Sequence, residues 1–123
     1  MSYIISLNII KMKKEQKTIV LRASTNPGRY SYKAVHSLLS HGYPVIPVGI
    51  KKGEVAGHTI EAAETIHQDI DTITLYVGPQ NQPVYYSYIM NTHPKRIIFN
   101  PGTENPELEE MARKKGIEVQ EAC

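Results

Sequence analysis

Short apolar runs alternate with amphipathic segments along most of the chain, and this alternation constrains the fold more than any other sequence feature. The predicted strands, rich in β-branched and aromatic residues, are Ile19–Ala23, Pro44–Val48, Thr72–Val77, Arg96–Phe99 and Ile117–Val119, with a short one around Val55. The predicted helices are Tyr32–His41, Ile60–Gln68, Pro83–Asn91 and a last one that Asn105 caps. Strands that alternate with helices predict a parallel sheet with helices on both faces.

The element order predicts a single α/β domain with a Rossmann-like parallel sheet. We expect the strand order 3-2-1-4-5-6, in which strand 3 is short. In such a sheet the strand order reverses between strands 1 and 4, and ligands bind at the carboxyl ends of these two strands. The loops that follow them are Ser24–Arg29 and Gly78–Gln80. A binding site is therefore expected between these two loops.

The segment Thr18–Lys33 has the arrangement of an anion site. It runs from the first strand through a loop of small residues to Ser31, which is suited to cap the following helix. The free N–H groups and the positive dipole end of such a helix point back at the loop, where a phosphate can bind. Arg29 and Lys33 add positive charge. We therefore predict that this loop binds a phosphate.

Composition and charge exclude several classes of protein. A net charge of +2, with no dense basic face, argues against a nucleic-acid partner. The apolar residues 3–10 are far fewer than the ~20 that a membrane span requires, and they lack the flanks of a signal peptide. We expect residues 1–16 to be a disordered or loosely packed extension of a domain at 17–123. The single cysteine, Cys123, excludes an internal disulfide and fits a cytoplasmic setting.

The sequence lacks the glycine pattern and the acidic residue that mark a site for NAD. Arg22 stands where the first glycine would be, and Lys51 and Lys52 follow the second strand, where the acidic residue would lie. A lysine at this place favours a ribose that carries a phosphate over one that only donates hydroxyl hydrogens. Coenzyme A, with a 3′-phosphate, and NADP, with a 2′-phosphate, both meet this condition.

Four segments resemble the stand-alone bacterial CoA-binding-domain proteins, which are related to the N-terminal domain of the succinyl-CoA synthetase alpha subunit. They are VLRASTNPGRYSYKAV at 20–35, HGYPVIPVG at 41–49, DTITLYVGP at 71–79 and KRIIFNPGTENPELE at 95–109. The last is the most specific. The segments lie in order and, with the sequence between them, relate nearly everything from Lys17 onward to that family.

This resemblance implies a set of coenzyme A contacts. The pyrophosphate loop corresponds to Ala23, Ser24, Thr25, Asn26 and Pro27, with Arg29 and Lys33 as further phosphate partners. The adenine wall corresponds to Pro47 and Val48, and the basic residue near the 3′-phosphate corresponds to Lys52. The second side of the crevice corresponds to Val77, Gly78 and Pro79, and the loop near the pantetheine arm corresponds to Asn100, Pro101 and Gly102.

The chain departs from the family pattern at two places in the site. Family members usually have glycine at the position of Arg22 and an Asn-Pro pair at the position of Gly49 and Ile50. A side chain at position 22 would either crowd the pyrophosphate or lend it a charge. Relatives also commonly continue for several apolar residues beyond the equivalent of Cys123, so the last strand is expected to be shorter here.

No group of residues has the spacing that catalysis or metal binding requires. The five histidines show no metal-ligand spacing, and Ser24 has no neighbouring base that would make it a nucleophile. We therefore expect a non-catalytic module that binds coenzyme A or acyl-CoA. Two alternatives stay open: an enzyme or regulator that uses NADP or another adenine nucleotide, and a degenerate domain that serves protein–protein contact. A homo-oligomer or a place in a larger enzyme assembly also stays open.

Overall fold

The computed structural model of the protein describes residues 16–122. The predicted N-terminal extension, apart from its last residue, and Cys123 lie outside these described residues. Within them the elements follow one another as strand, helix, strand, hairpin, strand, helix, strand, helix and strand. The predicted alternation of strands and helices is therefore confirmed over most of the described chain.

A parallel sheet of five strands forms the centre of the domain. Its strands, in spatial order, are β2 (Val45–Val48), β1 (Thr18–Leu21), β5 (Thr72–Leu75), β6 (Arg96–Phe99) and β7 (Glu118–Glu121). All four pairs of neighbouring strands are parallel and in continuous register. The Rossmann-like α/β class is confirmed, and the strand order reverses between β1 and β5, as predicted.

The prediction that a third strand around Val55 belongs to this sheet is wrong. Residues Glu54–Val55 form strand β3, which pairs antiparallel with β4, His58–Thr59, in a separate hairpin. Ala56 and Gly57, between them, both have positive φ angles, as a two-residue hairpin turn of the favoured kind requires. Among residues 16–122, a single bridge from Val48 to Glu61 continues the main sheet past β2.

The predicted helix Ile60–Gln68 is also wrong, since this segment contains no helix. The backbone of Glu61 is used for pairing with the sheet edge. Its N–H donates to the carbonyl of Pro47, and its own carbonyl accepts from the N–H of Gly49, both at 2.9 Å. A residue bonded sideways to β2 cannot at the same time make the helical bonds of its own segment.

In the described part of the chain three α-helices cover the sheet, and they lie on both faces as predicted. Helix α1 spans Tyr30–Ser40, α2 spans Tyr86–Thr92 after two short 3₁₀ turns, and α3 spans Pro106–Lys114. Asn105 caps α3 through its side-chain oxygen, which confirms that prediction. Ser31 does not cap α1: the helix begins one residue earlier, the N-cap position is Arg29, and its side chain makes no capping bond.

Alternate residues of each strand separate the core into two apolar clusters. Val20 and Val45 face α1 and pack with Val35 of that helix. Ile73, Phe99 and their neighbours on the opposite face pack with apolar residues of α2 and α3. The sheet is therefore buried on both faces around its first strands, and this fixes the carboxyl ends of β1, β2, β5 and β6 relative to one another.

Candidate functional site

A cavity of about 490 Å³ opens at the carboxyl edge of the sheet, where the strand order reverses. It is formed by the loop after β1, the first turn of α1 and the ends of β2, β5 and β6. Its lining residues are Arg22, Ala23, Ser24, Thr25, Arg29, Tyr30, Ser31, Ile50, Lys51, Tyr76, Val77, Gly78, Asn81, Pro101, Gly102 and Thr103. This is the place that strand topology predicts for a ligand.

The loop after β1 is held by hydrogen bonds of its own. The hydroxyl oxygen of Ser24 accepts from the N–H of Asn26 at 3.0 Å, and the side-chain oxygen of Asn26 accepts from Gly28 at 2.9 Å. The carbonyl of Asn26 accepts from the N–H of Arg29 at 3.0 Å. Because Ser24 uses its oxygen as an acceptor, its hydroxyl hydrogen stays available for a bound phosphate.

Helix α1 begins at the cavity wall without a side-chain cap. The N–H groups of its first turn have no helical partners, and they are the usual donors to an anion at a helix start. Ser31 in this turn is only 4% exposed and lines the cavity. Among residues 16–122 no hydrogen-bond partner reaches its hydroxyl. The hydroxyl of a largely buried serine and a free helix end therefore converge on one volume.

The charges around the cavity are of one sign. Arg22, Arg29 and Lys51 line it, and no aspartate or glutamate is among the lining residues. The ion pairs of the described chain lie elsewhere and involve none of these three side chains. Cations that have no carboxylate partner of their own favour a ligand with several negative charges.

Arg22 and Gly49 lie side by side at the ends of β1 and β2. Arg22 has a φ of +80°, a left-handed conformation that favours glycine. Its N–H and that of Ala23 both donate to the carbonyl of Val48, at 2.7 and 2.8 Å. A Cβ atom at Gly49 would overlap the carbonyl oxygen of Ala23. The two departures from the family pattern in this site are therefore neighbours in space.

The opposite wall is tied together by the buried side chain of Gln82. Its amide donates to the carbonyls of Val77 and Thr103, at 2.9 and 2.7 Å. Its oxygen accepts from the Asn105 amide at 2.8 Å, and Asn105 also caps α3. One side chain thus holds the end of β5, the loop after β6 and the start of α3 in fixed relation.

Asn100 has a similar positioning role at the end of β6. Its amide donates to the hydroxyl of Thr74 at 2.7 Å and to the carbonyl of Leu75 at 2.8 Å. Its own carbonyl accepts from the hydroxyl of Thr103 at 2.7 Å. These bonds place the turn Pro101–Gly102 at the cavity, while the Asn100 side chain lines a second cavity of about 390 Å³ on the α1 face.

Tyr76 contributes a phenol to the walls of both cavities. Burial raises its pKa above the ordinary tyrosine value, and a hydrogen bond with Thr74 opposes this shift in part. A raised pKa keeps the hydroxyl protonated at neutral pH. Tyr76 can therefore donate a hydrogen bond to a ligand, but it does not supply a negative charge that would repel one.

The structure places half of the predicted contact residues on the cavity wall. These are Ala23, Ser24, Thr25, Arg29, Val77, Gly78, Pro101 and Gly102. The other eight do not line it: Asn26, Pro27, Lys33, Pro47, Val48, Lys52, Pro79 and Asn100. Pro47 and Val48 are buried, and the exposed apolar residue at that end is Ile50. The lysine on the wall is Lys51, beside the predicted Lys52.

Several cavity and support residues were missed by sequence reasoning. From the sequence alone, Tyr76 is placed in a strand, and no role is assigned to Gln82 or Thr103. Gln82 acts through hydrogen bonds to residues 5, 21 and 23 positions away in the chain, and no short-range pattern encodes such partners. Arg22 was the exception, since its departure from glycine marked the position in the sequence itself.

Two further features are absent from residues 16–122. No group of three or more histidine, cysteine, aspartate or glutamate side chains there is placed to hold a metal ion. No helix in the same range is long and apolar enough to cross a membrane.

A model of the CoA binding domain family matches residues 16–123 of this chain. A crystal structure described only as that of an uncharacterized protein is 51% identical, with a TM-score of 0.85, and the match covers 88% of this chain and 89% of the other. No curated protein matches this chain.

Two archaeal structures share the fold at lower identity. A hypothetical protein from Pyrococcus horikoshii OT3 is 26% identical with a TM-score of 0.78, over 94% of this chain and 80% of its own. A conserved hypothetical protein from Pyrococcus furiosus is 27% identical with a TM-score of 0.76, over 88% and 94%. The similarity extends over most of each chain in both cases, so it concerns the whole domain and not one motif.

Proposed function

This chain belongs to the CoA binding domain family, and we propose that it binds coenzyme A or an acyl-CoA in the cavity at the carboxyl edge of the sheet. The observation that carries the proposal is the set of three unpaired cations, Arg22, Arg29 and Lys51, on a wall without carboxylates. Coenzyme A carries a pyrophosphate and a 3′-phosphate, so its nucleotide end has the charge that such a wall favours.

The layout of the cavity supports one orientation of the ligand. The pyrophosphate would lie over the loop Ser24–Arg29, within reach of the Ser31 hydroxyl and the first N–H groups of α1. The adenosine would lie against the end of β2, where Ile50 offers an exposed apolar surface and Lys51 a charge for the 3′-phosphate. The pantetheine arm would then run toward the turn Pro101–Gly102.

We propose that the module binds its ligand without reacting with it. The lining residues include no histidine, cysteine, aspartate or glutamate, and these supply most general acids, bases and nucleophiles. Ser24, the hydroxyl in the loop, has no base beside it in the lining and is oriented by its bond from Asn26.

Calorimetric titration of the purified protein tests the proposal. We expect binding of coenzyme A and acetyl-CoA, weaker binding of dephospho-CoA, and weaker binding of NADP than of coenzyme A. Lys51→Ala should reduce the affinity for coenzyme A severalfold and leave that for dephospho-CoA unchanged. Lys95→Ala, an exposed lysine at the amino end of β6, is the matched control and should change neither.

Three results would contradict the proposal at different points. Absence of coenzyme A binding would leave the domain as a degenerate one. Tighter binding of NADP would move the site to the dinucleotide alternative. Equal affinity of Lys51→Ala and the unmodified protein for coenzyme A would remove the 3′-phosphate role of Lys51.

A further inference from the structure

We propose that Arg22 binds the pyrophosphate of the ligand, and that its strained backbone is retained because it places the guanidinium in the cavity. This inference rests on the proposed function, since it assigns one residue of that site to one part of the ligand. The residues that carry it are Arg22, Gly49, Ala23 and Val48, all at the meeting point of β1 and β2.

The backbone at Arg22 is strained and firmly held. Its φ of +80° is unfavourable for a residue with a side chain, because the Cβ atom crowds the neighbouring carbonyl. Two N–H groups, those of Arg22 and Ala23, converge on the carbonyl of Val48 at 2.7 and 2.8 Å. Strain of this kind persists where surrounding bonds over-determine the conformation, and such positions cluster at binding sites.

Gly49 provides the room for this conformation. Any side chain at position 49 would overlap the Ala23 carbonyl oxygen, which follows directly from the turn at Arg22. The arginine and the glycine are therefore one structural unit: the backbone of residues 22 and 23 bends toward β2 because position 49 has no Cβ atom. A glycine at 22 would permit the same bend without strain, so the arginine is not needed for the fold.

The Arg22 side chain is on the cavity wall and has no partner among residues 16–122. It is partly buried, so its charge is less screened than that of a fully exposed arginine. Its planar guanidinium can donate two parallel bonds to neighbouring phosphate oxygens. Arg22 directly precedes the loop Ala23–Thr25, whereas Lys51 follows the neighbouring strand. This placement assigns Arg22 to the pyrophosphate and leaves the 3′-phosphate to the lysine.

Arg22→Gly tests the two parts of the proposal separately, because ligand affinity reports on the pyrophosphate contact and the Tm reports on the backbone strain. We expect its affinity for coenzyme A to fall about tenfold, as the loss of a charge-assisted hydrogen bond predicts. The affinity for dephospho-CoA, which keeps the pyrophosphate, should fall by the same factor. The Tm should rise, because glycine adopts the required φ freely. Arg22→Lys keeps the charge without the paired donors and should bind with intermediate affinity.

Ala56→Gly is the matched control. Ala56 also has a positive φ, of 52°, in the exposed turn between β3 and β4, and it does not line the cavity. This variant should raise the Tm without any change in ligand affinity. Inorganic pyrophosphate is the third titrant, and it should bind the unmodified protein more tightly than Arg22→Gly.

The outcomes distinguish a failure of this inference from a failure of the proposed function. If the protein binds coenzyme A and Arg22→Gly binds it equally well, the role of Arg22 is overturned and the function stands. A loss for coenzyme A but not for dephospho-CoA would overturn the assignment to the pyrophosphate. If coenzyme A does not bind, the proposed function is overturned, and titration with inorganic pyrophosphate decides on Arg22 alone: equal affinity of the two proteins, or no binding, overturns its role.

Discussion

The two sides of the carboxyl edge of the sheet differ in whether their polar groups have partners within the protein. On the side of β1 and β2, the cations Arg22, Arg29 and Lys51 and the hydroxyl of Ser31 have no partners among residues 16–122 and face the cavity. On the side of β5 and β6, the buried polar groups of Gln82, Asn100, Thr103 and Asn105 are bonded to one another and to the backbone. One side is open to a ligand, and on the other side these four residues bond within the protein without one.

The two sides also carry side chains of opposite charge. The loops after β1 and β2 carry arginines and lysines, while Glu104, Glu107 and Glu109 surround the start of α3 and Glu121 ends β7. Unpaired polar groups cost stability, and hydrogen-bonded ones are neutral or favourable. We call the side of β1 and β2 the basic side and the side of β5 and β6 the acidic side. The comparison predicts that substitutions on the basic side change the affinity for the ligand. Substitutions on the acidic side should instead change the free energy of unfolding.

Gln82→Leu should give the largest effect. Leucine fills a similar volume but removes the Gln82 amide from the carbonyls of Val77 and Thr103. It also leaves the Asn105 amide with the Tyr86 hydroxyl as its remaining partner. We expect a loss of about 3 kcal/mol in the free energy of unfolding, since each unsatisfied group costs about 1–3 kcal/mol and some regain water. Urea denaturation measures the loss. Gln80→Leu, an exposed neighbour, is the control and should cost little. A loss below about 1 kcal/mol for Gln82→Leu would show that the wall does not depend on this network.

Gly49→Ala adds a methyl group where the backbones after β1 and β2 are in close contact. The added Cβ atom meets the backbone oxygen of Ala23, which cannot move without breaking the bonds to Val48. Overpacking against backbone costs about 1–3 kcal/mol, and we expect a loss of about 2 kcal/mol in urea denaturation. Gly28→Ala, in the exposed part of the same loop, meets only the flexible Asn26 side chain and should cost much less. Equal losses would mean that the loop is uniformly sensitive to added atoms.

The fold could be predicted from the sequence because its signals are local. Strand β6 was placed with its observed bounds, and the cap at Asn105 and the stop near Gly42 follow from residue type alone. Position in a parallel sheet then follows from the alternation of elements. The prediction of a helix at 60–68 is wrong because the backbone of Glu61 pairs with β2 instead of forming helical bonds. Nothing near Glu61 in the sequence indicates this pairing.

The site could be predicted in position but only in part in its contacts. The loop Ala23–Thr25 and the turn Pro101–Gly102 line the cavity because they directly follow parallel strands. Lys51 lines the wall and Lys52 does not, which depends on side-chain direction at the end of β2 and cannot be read from two adjacent lysines. The bonds of Gln82 join residues far apart in the chain, so their discovery requires the folded structure.

Arg29→Ala should change binding and leave stability unaltered. The side chain is exposed, lines the cavity and makes no ion pair among the described residues. We expect an affinity for coenzyme A about fivefold lower, which corresponds to about 1 kcal/mol, and an unchanged midpoint in urea. Calorimetric titration and denaturation of the same preparation measure both quantities. Lys95→Ala, an exposed lysine that makes no ion pair among the described residues, is the control for charge alone. A clear loss of stability in Arg29→Ala would break the division between the two sides.

Glu121→Gln should give the smallest effect, and its pH dependence identifies the acidic side. A hydrogen bond with the Glu109 side chain, followed by the repulsion between the two carboxylates, raises the pKa of Glu121 above its ordinary value. The folded state then holds the proton more tightly than the unfolded state, so stability falls as pH rises above the ordinary glutamate pKa of about 4.3.

Glutamine cannot ionise, so Glu121→Gln should raise the Tm slightly at pH 7 and leave it unchanged at pH 3, where the carboxyl is protonated in both states. Glu118→Gln, an exposed residue at the other end of β7, is the control for general charge. An equal gain at both pH values would assign the effect to packing. A gain confined to pH 7 would show that the side of β5 and β6, although its polar network is bonded, holds the carboxylate pair of Glu121 and Glu109 at a cost in stability.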